Sequence, residues 1–235
     1  MSHISIIRRS FCVFIIPAFF LVLLSGCGGS SDSGYLIPPK VSEEEILQGI
    51  FVDSPVSGVT YITPEHRGTT NIDGIFDYEE GETITFLIAG IVLGRTLAKD
   101  VITPLDLVDN AEDVTDTAVT NICRLLLFLD TDGDPDNGIA IPEDLTRQLA
   151  GPGFKPQDID FSDPGFDDNL NIKTLIIKLN QAGVFDEEER TLCTPEFAQE
   201  HLAETLLLYG LVDLEPVAGI VFPVVNLNLT SPTRD

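Results

Sequence analysis

The apolar positions of the chain follow two different periods, and the period changes near residue 110. From residue 46 to about 108, short β-branched and aromatic runs alternate with Gly, Pro, Asn and Asp, which is typical of strands joined by turns. Within residues 59–63 and 83–86 apolar side chains alternate with threonine, as a half-buried antiparallel sheet requires. The strands are predicted at residues 48–53, 56–63, 75–78 and 83–88.

From Asp113 onward the apolar residues recur every three or four positions, which predicts helices. Thr115 is the expected N-cap of a first helix that ends at Leu129. Three more helices are predicted over residues 142–150, 169–182 and 194–209, each bounded by capping or breaking residues. Strands followed by helices predict an α+β fold, with a small antiparallel β-sandwich ahead of a helical region.

The N-terminal apolar run fits neither pattern. Arg8 and Arg9 precede fourteen apolar residues, 11–24, whereas a helix needs about 20 to span a bilayer. A charged start, a short apolar run and small residues before a cysteine are typical of a signal peptide. Leu24-Ser25-Gly26-Cys27 resembles the lipobox of bacterial lipoproteins. The resemblance implies cleavage after residue 26, a diacylglycerol on the Cys27 thiol and an acyl chain such as palmitate on its new amino group.

Residues 27–45 lack a hydrophobic period and contain Gly-Gly-Ser-Ser and Pro38-Pro39, so they predict a flexible tether. Gly28, rather than an acidic residue, follows the anchor, which resembles lipoproteins sorted to the outer membrane. We therefore expect a lipid-anchored protein of the cell envelope, on the outer membrane, facing either the periplasm or the cell exterior.

The strongly negative net charge of the chain limits the kinds of partner that we expect it to bind. The chain has 13 Lys and Arg against 38 Asp and Glu, and its net charge of −25 becomes −27 once Arg8 and Arg9 leave with the signal peptide. Phosphate backbones and anionic lipid headgroups repel such a chain, so nucleic acid is not an expected partner and the acyl chains must supply the membrane link. The acidity also fits a salty medium or a calcium-loaded site.

Two cysteines remain after the signal peptide and the anchor are set aside. Cys123 and Cys193 lie in a chain that is expected outside the cytoplasm, where thiols are oxidised. A disulfide between them would close a loop of about 70 residues and contribute about 4 kcal/mol on the chain-entropy model. Two separate buried thiols are the alternative.

A second resemblance lies in the strand region. Asn71 and Asp73-Gly74 predict a turn that restarts a strand at Ile75 and turns Phe76 toward the core. Three segments carry the resemblance: Val56-Ser57-Gly58-Val59, residues 70–76, and Gly81 ahead of Ile84 and Phe86. Together they resemble carboxypeptidase-regulatory-like (transthyretin-like) β-sandwich modules, and the resemblance ends after Phe86. It implies a binding or spacing role without catalysis.

The one segment with candidate chemistry lies between the first two predicted helices. We call residues 130–143 the Asp-rich loop. The spacing of its oxygen-bearing residues matches an EF-hand-like calcium loop that starts at Asp132. The ligands at positions one, three, five, seven and twelve would be Asp132, Asp134, Asp136, the Gly138 carbonyl and Glu143.

Two features of the Asp-rich loop depart from that pattern. Asn137 stands at the sixth position, where such loops have Gly, although Asn tolerates the left-handed conformation better than most residues. A frame that begins at Asp130 keeps Asp132 and Asp134 but loses the terminal carboxylate. The alternative to calcium is a solvated acidic turn, and we expect a solvated loop for the second acidic segment, residues 160–171.

Catalytic motifs are missing from the sequence. It contains no G-x-S-x-G, H-E-x-x-H, phosphate-binding or dinucleotide-binding signature. His201 is expected to be a histidine of the core or of its boundary, and His66 is expected at the surface. Glu79, Glu80 and Glu82 could form an acid/base set, but such clusters arise freely in so acidic a chain.

The sequence thus predicts a non-catalytic envelope lipoprotein that binds a protein or polysaccharide partner. The strands, the helices and the Asp-rich loop also resemble, as a whole, a group of bacterial lipoproteins and large surface proteins, which implies no reaction. An envelope hydrolase that uses Asp and Glu residues is one alternative, and an assembly subunit of an envelope complex is another. The predicted regions are a β-sandwich at 46–110, helices at 111–210 and an apolar, β-prone tail at 211–235.

Overall fold

The computed structural model describes residues 45–186 and 189–212. These residues contain strands and four α-helices, which confirms the predicted α+β class. The strands are β1 (Leu47–Phe51), β2 (Val56–Ser57), β3 (Thr60–Ile62), β4 (Arg67–Thr69), β5 (Ile75–Tyr78), β6 (Thr83–Ile88), β7 (Ile91–Leu97), β8 (Val101–Ile102) and β9 (Ile139–Ala140). The helices are α1 (Thr117–Leu129), α2 (Leu145–Leu149), α3 (Leu170–Ala182) and α4 (Pro195–Leu208).

The strands form three sheets. One has the order β5-β1-β8, the second has the order β4-β3-β6-β7, and the third consists of β2 and β9. Strand β1 is antiparallel to β5 and parallel to β8. Strands β5 and β6 have the bounds that the sequence predicts. The predicted strand at 56–63 is divided at Gly58, whose φ of +83° turns the chain from one sheet into another.

Strand β7 was not among the predicted strands. It follows β6 through a two-residue turn in which Ala89 and Gly90 both have positive φ, the backbone that joins tightly paired strands. Its side chains alternate between buried and exposed, as in a strand with one face on the core. Gly94 lies where an added Cβ would strike the backbone of Leu107, so the segment after the sheet packs directly on this strand.

Aromatic side chains from two sheets meet in the core. Phe51 of β1 stacks on Phe86 of β6 with ring centroids 4.5 Å apart, and Phe76 of β5 lies 5.4 Å from Phe86 edge-on. The predicted turn before β5 is confirmed: Asn71 Oδ1 accepts the N–H groups of Asp73 and Ile75. The turn therefore directs Phe76 inward, as its sequence indicates.

Helix α1 is buried on nearly all sides, since eleven of its thirteen residues are buried. Its N-cap is Asp116, whose carboxylate accepts the N–H groups of Ala118 and Val119. The prediction that Thr115 caps this helix is wrong because the Thr115 side chain donates to Asp113 instead. The predicted end at Leu129 is confirmed.

The capping residues predicted for α3 and α4 are confirmed, whereas the predicted start of α2 is not. Asn169 caps α3 and Gly183 ends it in the left-handed conformation, and Thr194 caps α4. The predicted start of α2 at residue 142 is wrong. Asp144 has a φ of +63°, so the helix begins only at Leu145.

Strands and helices share one continuous hydrophobic cluster that includes residues of both predicted regions. The described residues belong to a single compact unit. The predicted boundary near residue 110 stays a prediction. Among the described helices, none has the length and apolar character that a membrane crossing requires.

A buried arginine ties three segments together. Arg124 of α1 donates two hydrogen bonds to the Asp167 carboxylate, at 2.9 and 2.6 Å, and a third to the Cys193 carbonyl at 2.8 Å. The predicted solvated loop at 160–171 therefore supplies one anchored carboxylate. Hydrogen bonds from Arg124 lower the pKa of Asp167 against the opposing effect of partial burial.

Asp167→Asn should lower the free energy of unfolding near neutral pH by roughly 1 kcal/mol, since the Asp167 side chain is 63% exposed and solvent screens the pair. A lowered pKa contributes stability above the unfolded value and loses it as the pH falls through the folded value. In urea denaturation the difference should therefore shrink as the pH falls below about 4. Asp168→Asn, which alters an exposed pair with Lys173, is the matched control and should change little.

Candidate cation site

The Asp-rich loop leaves the buried end of α1 and returns to a sheet. Asp130 follows α1 directly, and the later part of the loop contains β9, which runs parallel to β2. Thr131 closes the base of the loop, because its N–H and its hydroxyl both donate to the Ala140 carbonyl, at 2.9 and 2.6 Å. The loop is therefore a closed surface turn whose first residue reaches into the core.

Two carboxylates of the loop shape its backbone. Asp132 Oδ1 accepts the Asp134 N–H at 3.0 Å, and Asp132 Oδ2 accepts the Asn137 side-chain amide at 3.1 Å. Asp134 Oδ1 in turn accepts the Asp136 N–H at 3.3 Å. The first two hydrogen bonds lower the pKa of Asp132. Asp132 is thus an ionised acceptor that faces a short, curved segment of chain.

The turn that the calcium pattern assigns to Asn137 lies one residue later. Gly138 has a φ of +107°, whereas Asn137 ends a short 3-10 turn over Pro135–Asn137. Glycine adopts the left-handed conformation at lower cost than asparagine, so the chain reverses at Gly138. Asn137 contributes its side-chain amide to Asp132 instead.

Glu143, the predicted twelfth ligand, lies elsewhere. It lines a cleft of about 750 Å³ between the strands and the start of α2, together with Thr60, Asp144 and Arg147. In the described residues no three His, Cys, Asp or Glu side chains stand in a ready metal-binding arrangement. Calcium binding by the loop stays a prediction.

Asp130 carries an unsatisfied oxygen at the inner end of the loop. Its side chain is fully buried, Oδ1 accepts the Ala140 N–H at 2.9 Å, and Oδ2 has no hydrogen-bond partner. Burial raises the pKa of Asp130, and the neighbouring Asp132 carboxylate raises it further by repulsion. Carboxylate oxygens are the ligands that hard cations prefer, but two neighbouring carboxylates supply fewer ligands than a calcium ion takes.

Arg190, which sequence reasoning missed, lies against the same loop. Only 7% of the residue is exposed, and neither Nη1 nor Nη2 has a hydrogen-bond partner. Its guanidinium lies 4.7 Å above the Phe185 ring, and a Cβ added to Gly133 would lie 2.6 Å from Nη2. Asn180 of α3 fixes the Arg190 backbone by one hydrogen bond in each direction, at 2.8 and 3.0 Å.

A second buried carboxylate lies between β1 and α4. Asp53 is fully buried and neither of its oxygens has a hydrogen-bond partner of good geometry. His201 Nε2 lies 3.7 Å from Asp53 Oδ1 and 3.3 Å from the Ser54 hydroxyl. Burial raises the pKa of Asp53 to about 6, although the His201 ring and the Cys123 thiol act in the opposite direction. His201 was expected in the core or at its boundary, and it lies at the boundary, since its side chain is 10% exposed.

The two predicted disulfide cysteines are free thiols in this structure. Cys123 of α1 is buried, and burial followed by the Asp53 charge raises its pKa well above the ordinary value. Burial raises the pKa of Cys193 to about 11, while the Arg124 charge lowers it. A charge on Cys193 also raises the pKa of Cys123, so the two side chains lie in the same neighbourhood. The disulfide itself stays a prediction.

Several predicted features lie outside the described residues. They include the signal peptide, the lipidation site Cys27, nearly all of the tether at 27–45 and most of the tail at 211–235.

Comparison of the chain with known protein families, with characterised proteins and with solved structures gives no match.

Asp53→Asn should make the protein more stable near neutral pH. The folded state holds the Asp53 proton up to about pH 6, whereas the unfolded chain releases it near 3.8, so wild-type stability falls as the pH rises between these values. The variant lacks this loss and should gain roughly 1–3 kcal/mol above pH 6, with a smaller difference near pH 4. Urea denaturation of the wild type and the variant at several pH values measures this difference in the free energy of unfolding.

Asp73→Asn makes the same chemical change at an exposed turn and is the control. If Asp53→Asn and Asp73→Asn show the same pH dependence as the wild type, the buried Asp53 does not titrate as described.

Proposed function

We propose that the protein is a non-catalytic lipoprotein of the cell envelope, anchored through lipidated Cys27 and carrying a globular part that binds a protein or polysaccharide. The observation that carries this proposal is the lipobox Leu24-Ser25-Gly26-Cys27 after a short apolar run. Several acyl chains on one residue give stable anchoring, where one chain binds only marginally. The net charge of −25 supports an anchor made of lipid, because a surface so acidic is repelled by anionic headgroups.

We further propose that the strand region is a β-sandwich of the carboxypeptidase-regulatory-like kind. The contact between Phe51 and Phe86 supports it, because these residues belong to two different sheets whose inner side chains meet. The turn at Asn71 supports it as well, because the residues that carry the resemblance form that turn. Modules of this kind serve as binding or spacing units, which favours a non-catalytic role.

Calcium is the proposed cofactor of the Asp-rich loop. The unpaired Asp130 Oδ2, with Asp132 beside it, supports a cation at the inner end of the loop. All candidate ligands are oxygens, which favours a hard cation, and Ca²⁺ accepts irregular geometry more readily than Mg²⁺. The role of the ion would be to stabilise the loop and the adjoining β2–β9 pair.

We also propose that Cys123 and Cys193 form a disulfide in the mature protein. Their common neighbourhood supports the pairing. The reactive species in disulfide chemistry is the thiolate, and both thiols have raised pKa values once folded. The bond would therefore form during folding, before the Cys123 side chain is buried.

The hydrolase alternative depends on the glutamates near β5 and β6. They line a cleft of about 620 Å³ that contains Glu45, Glu65, Glu79, Glu80 and Glu82. Glu82, however, accepts the N–H groups of Glu65 at 2.9 Å and Glu79 at 2.7 Å, and these hydrogen bonds lower its pKa against the effect of burial. A carboxylate that clamps a turn and stays ionised is poorly suited to donate a proton, so binding is the preferred role.

Cys27→Ser should release the protein from membranes. The variant lacks the thiol that would carry diacylglycerol, so we expect it in the soluble fraction after ultracentrifugation and in the aqueous phase of detergent partitioning. Cys193→Ser keeps the anchor and should stay with the membrane. A native product that retains residues 1–26 and carries no acyl group by mass spectrometry would contradict the proposal.

Calcium should raise the melting temperature of the metal-free mature protein by about 5–10 °C at a concentration about 100-fold above the Kd. Asp132→Ala and Asp134→Ala should abolish this gain, because each removes an oxygen ligand from the loop. Asp109→Asn alters an exposed carboxylate outside the loop and should leave the gain intact. If calcium leaves the melting curve of the unmutated protein unchanged, the proposed calcium site is refuted.

A further inference from the structure

Exposed apolar side chains gather at one end of the sheet β5-β1-β8. A cleft of about 650 Å³ lies there, where β1 begins and β7 passes into β8. Leu97, at the end of β7, is 58% exposed in this cleft, and Leu211, which follows α4, is 41% exposed. The cleft is lined further by Leu47, Tyr78, Ala98 and Val101. Large apolar side chains that stay accessible around one concave surface indicate a binding surface.

The chain leaves the described part of the molecule at this cleft. Leu211 lines the cleft, and Val212 is the last residue that the structure describes. The Leu211 N–H donates to the Leu206 carbonyl at 2.9 Å, so the end of α4 fixes the position of Leu211. Twenty-three residues follow Val212 in the sequence. Their attachment at the rim of the cleft gives them a high effective concentration there.

The sequence after Val212 has the composition that an apolar cleft on an acidic protein requires. Residues 216–233 contain no charged side chain, although the chain has 38 Asp and Glu. An uncharged segment approaches this surface without the repulsion that acts between acidic segments. We call residues 224–230 the tail segment. Residues 225–230 within it read Val-Asn-Leu-Asn-Leu-Thr, an alternation that predicts a strand with one apolar face.

Strand β8 offers a backbone edge beside the cleft. It pairs with β1 on one side, where the Asp100 and Ile102 carbonyls accept backbone N–H groups of β1 and of the residue after it. Successive residues of a strand direct their backbone groups to opposite sides, so the N–H and the carbonyl of Val101 point away from β1. No strand among the described residues pairs with that side of β8. An added segment would therefore find a hydrogen-bonding partner there for part of its backbone.

We propose that the tail segment of the same chain occupies the cleft as an added strand, with its apolar face against Leu97 and Leu211. Residues 213–223 form the connection, and their two prolines and one glycine favour turns over a continued helix. Eleven residues reach up to about 35 Å when extended, which is ample for a return to a cleft that the chain has just left. The segment closes the apolar cleft and joins the last helix to the strands.

The sequence favours the cleft over two other occupancies. A bilayer-spanning helix needs about 20 apolar residues, whereas Gly219 and Pro223 interrupt this apolar stretch and Asn226 and Asn228 lie within it. A second copy of the chain offers the same cleft. A segment attached to its own cleft, however, meets that one at the higher effective concentration.

Hydrogen exchange measured by mass spectrometry on the chain from Cys27 onward tests the proposal. We expect the backbone amides of the tail segment to exchange at least about tenfold more slowly than those of an unstructured peptide of the same sequence. Leu97→Asp should remove this protection, because it places a charge in the apolar part of the cleft. Val92→Asp makes the corresponding change at an exposed position of the same strand, away from the cleft, and should leave the protection intact.

Variants of the tail segment give a second readout. Leu227→Asp should remove the protection and lower the melting temperature by about 5 °C, because the apolar face loses its contact with the cleft. Asn228→Asp adds the same charge on the opposite face and should change the melting temperature by less than about 2 °C. Leu97→Asp combined with Leu227→Asp should melt no lower than the less stable single variant, since both changes break one contact.

Four results would overturn the proposal. The first is exchange of the tail segment in the wild type at the rate of the unstructured peptide, and the second is protection that survives both Leu97→Asp and Leu227→Asp. Protection that is lost on dilution, together with a dimer in size-exclusion chromatography, would assign the cleft to a second copy. Protection that appears only with phosphatidylglycerol vesicles would assign the segment to a membrane. Circular dichroism checks folding, and Leu227→Asp, which alters only the tail segment, decides the matter if Leu97→Asp does not fold.

Discussion

The structure depends on the burial of helix α1 on nearly all sides. A helix enclosed in this way has no solvated face, so each polar group along it needs a partner inside the protein. Arg124 reaches Asp167 and the Cys193 carbonyl, and Asn121 donates to the Phe161 carbonyl. Cys123 faces Asp53, and Asp130 continues the helix into the Asp-rich loop. Several polar interactions of the core therefore originate from one element.

Cationic side chains are scarce in this protein, and the fold uses two of them internally. The chain has 13 Lys and Arg against 38 Asp and Glu, yet both Arg124 and Arg190 are buried. Arg124 pairs with the Asp167 carboxylate and Arg190 lies against the Asp-rich loop, and at both points segments far apart in sequence meet. In the described part of the chain three acidic side chains, those of Asp53, Glu82 and Asp130, are buried as well, so burial leaves the excess of negative charge at the surface nearly as large as that of the sequence. Repulsion at that surface favours solubility and opposes close approach to other acidic molecules.

Local signals in the sequence were sufficient for the elements whose determinants are adjacent in the chain. The bounds of β5 and β6, the Asn71 turn and the caps of α3 and α4 all depend on residues within one turn or one strand. The contacts of the candidate site are different. Asp53 and Cys123 are 70 residues apart, and Asp130 and Arg190 are 60 apart. The periodicity of a sequence does not indicate which distant residues meet, so no local pattern points to Arg190. The cap of α1 was predicted wrongly for a different reason: Thr115 bonds to Asp113, and the neighbouring Asp116 caps the helix.

The short pair of β2 and β9 has a consequence for how the chain folds. Val56 and Ile139, which lie opposite one another in this pair, are separated by more than eighty residues, and both are fully or almost fully buried. The edge of β2 therefore stays uncovered until the chain beyond α1 has arrived. Contacts of such long range form late, because the intervening loop must first be closed. During synthesis, the first strands would emerge with one edge unpaired, and only the later segment that contains β9 can cover it.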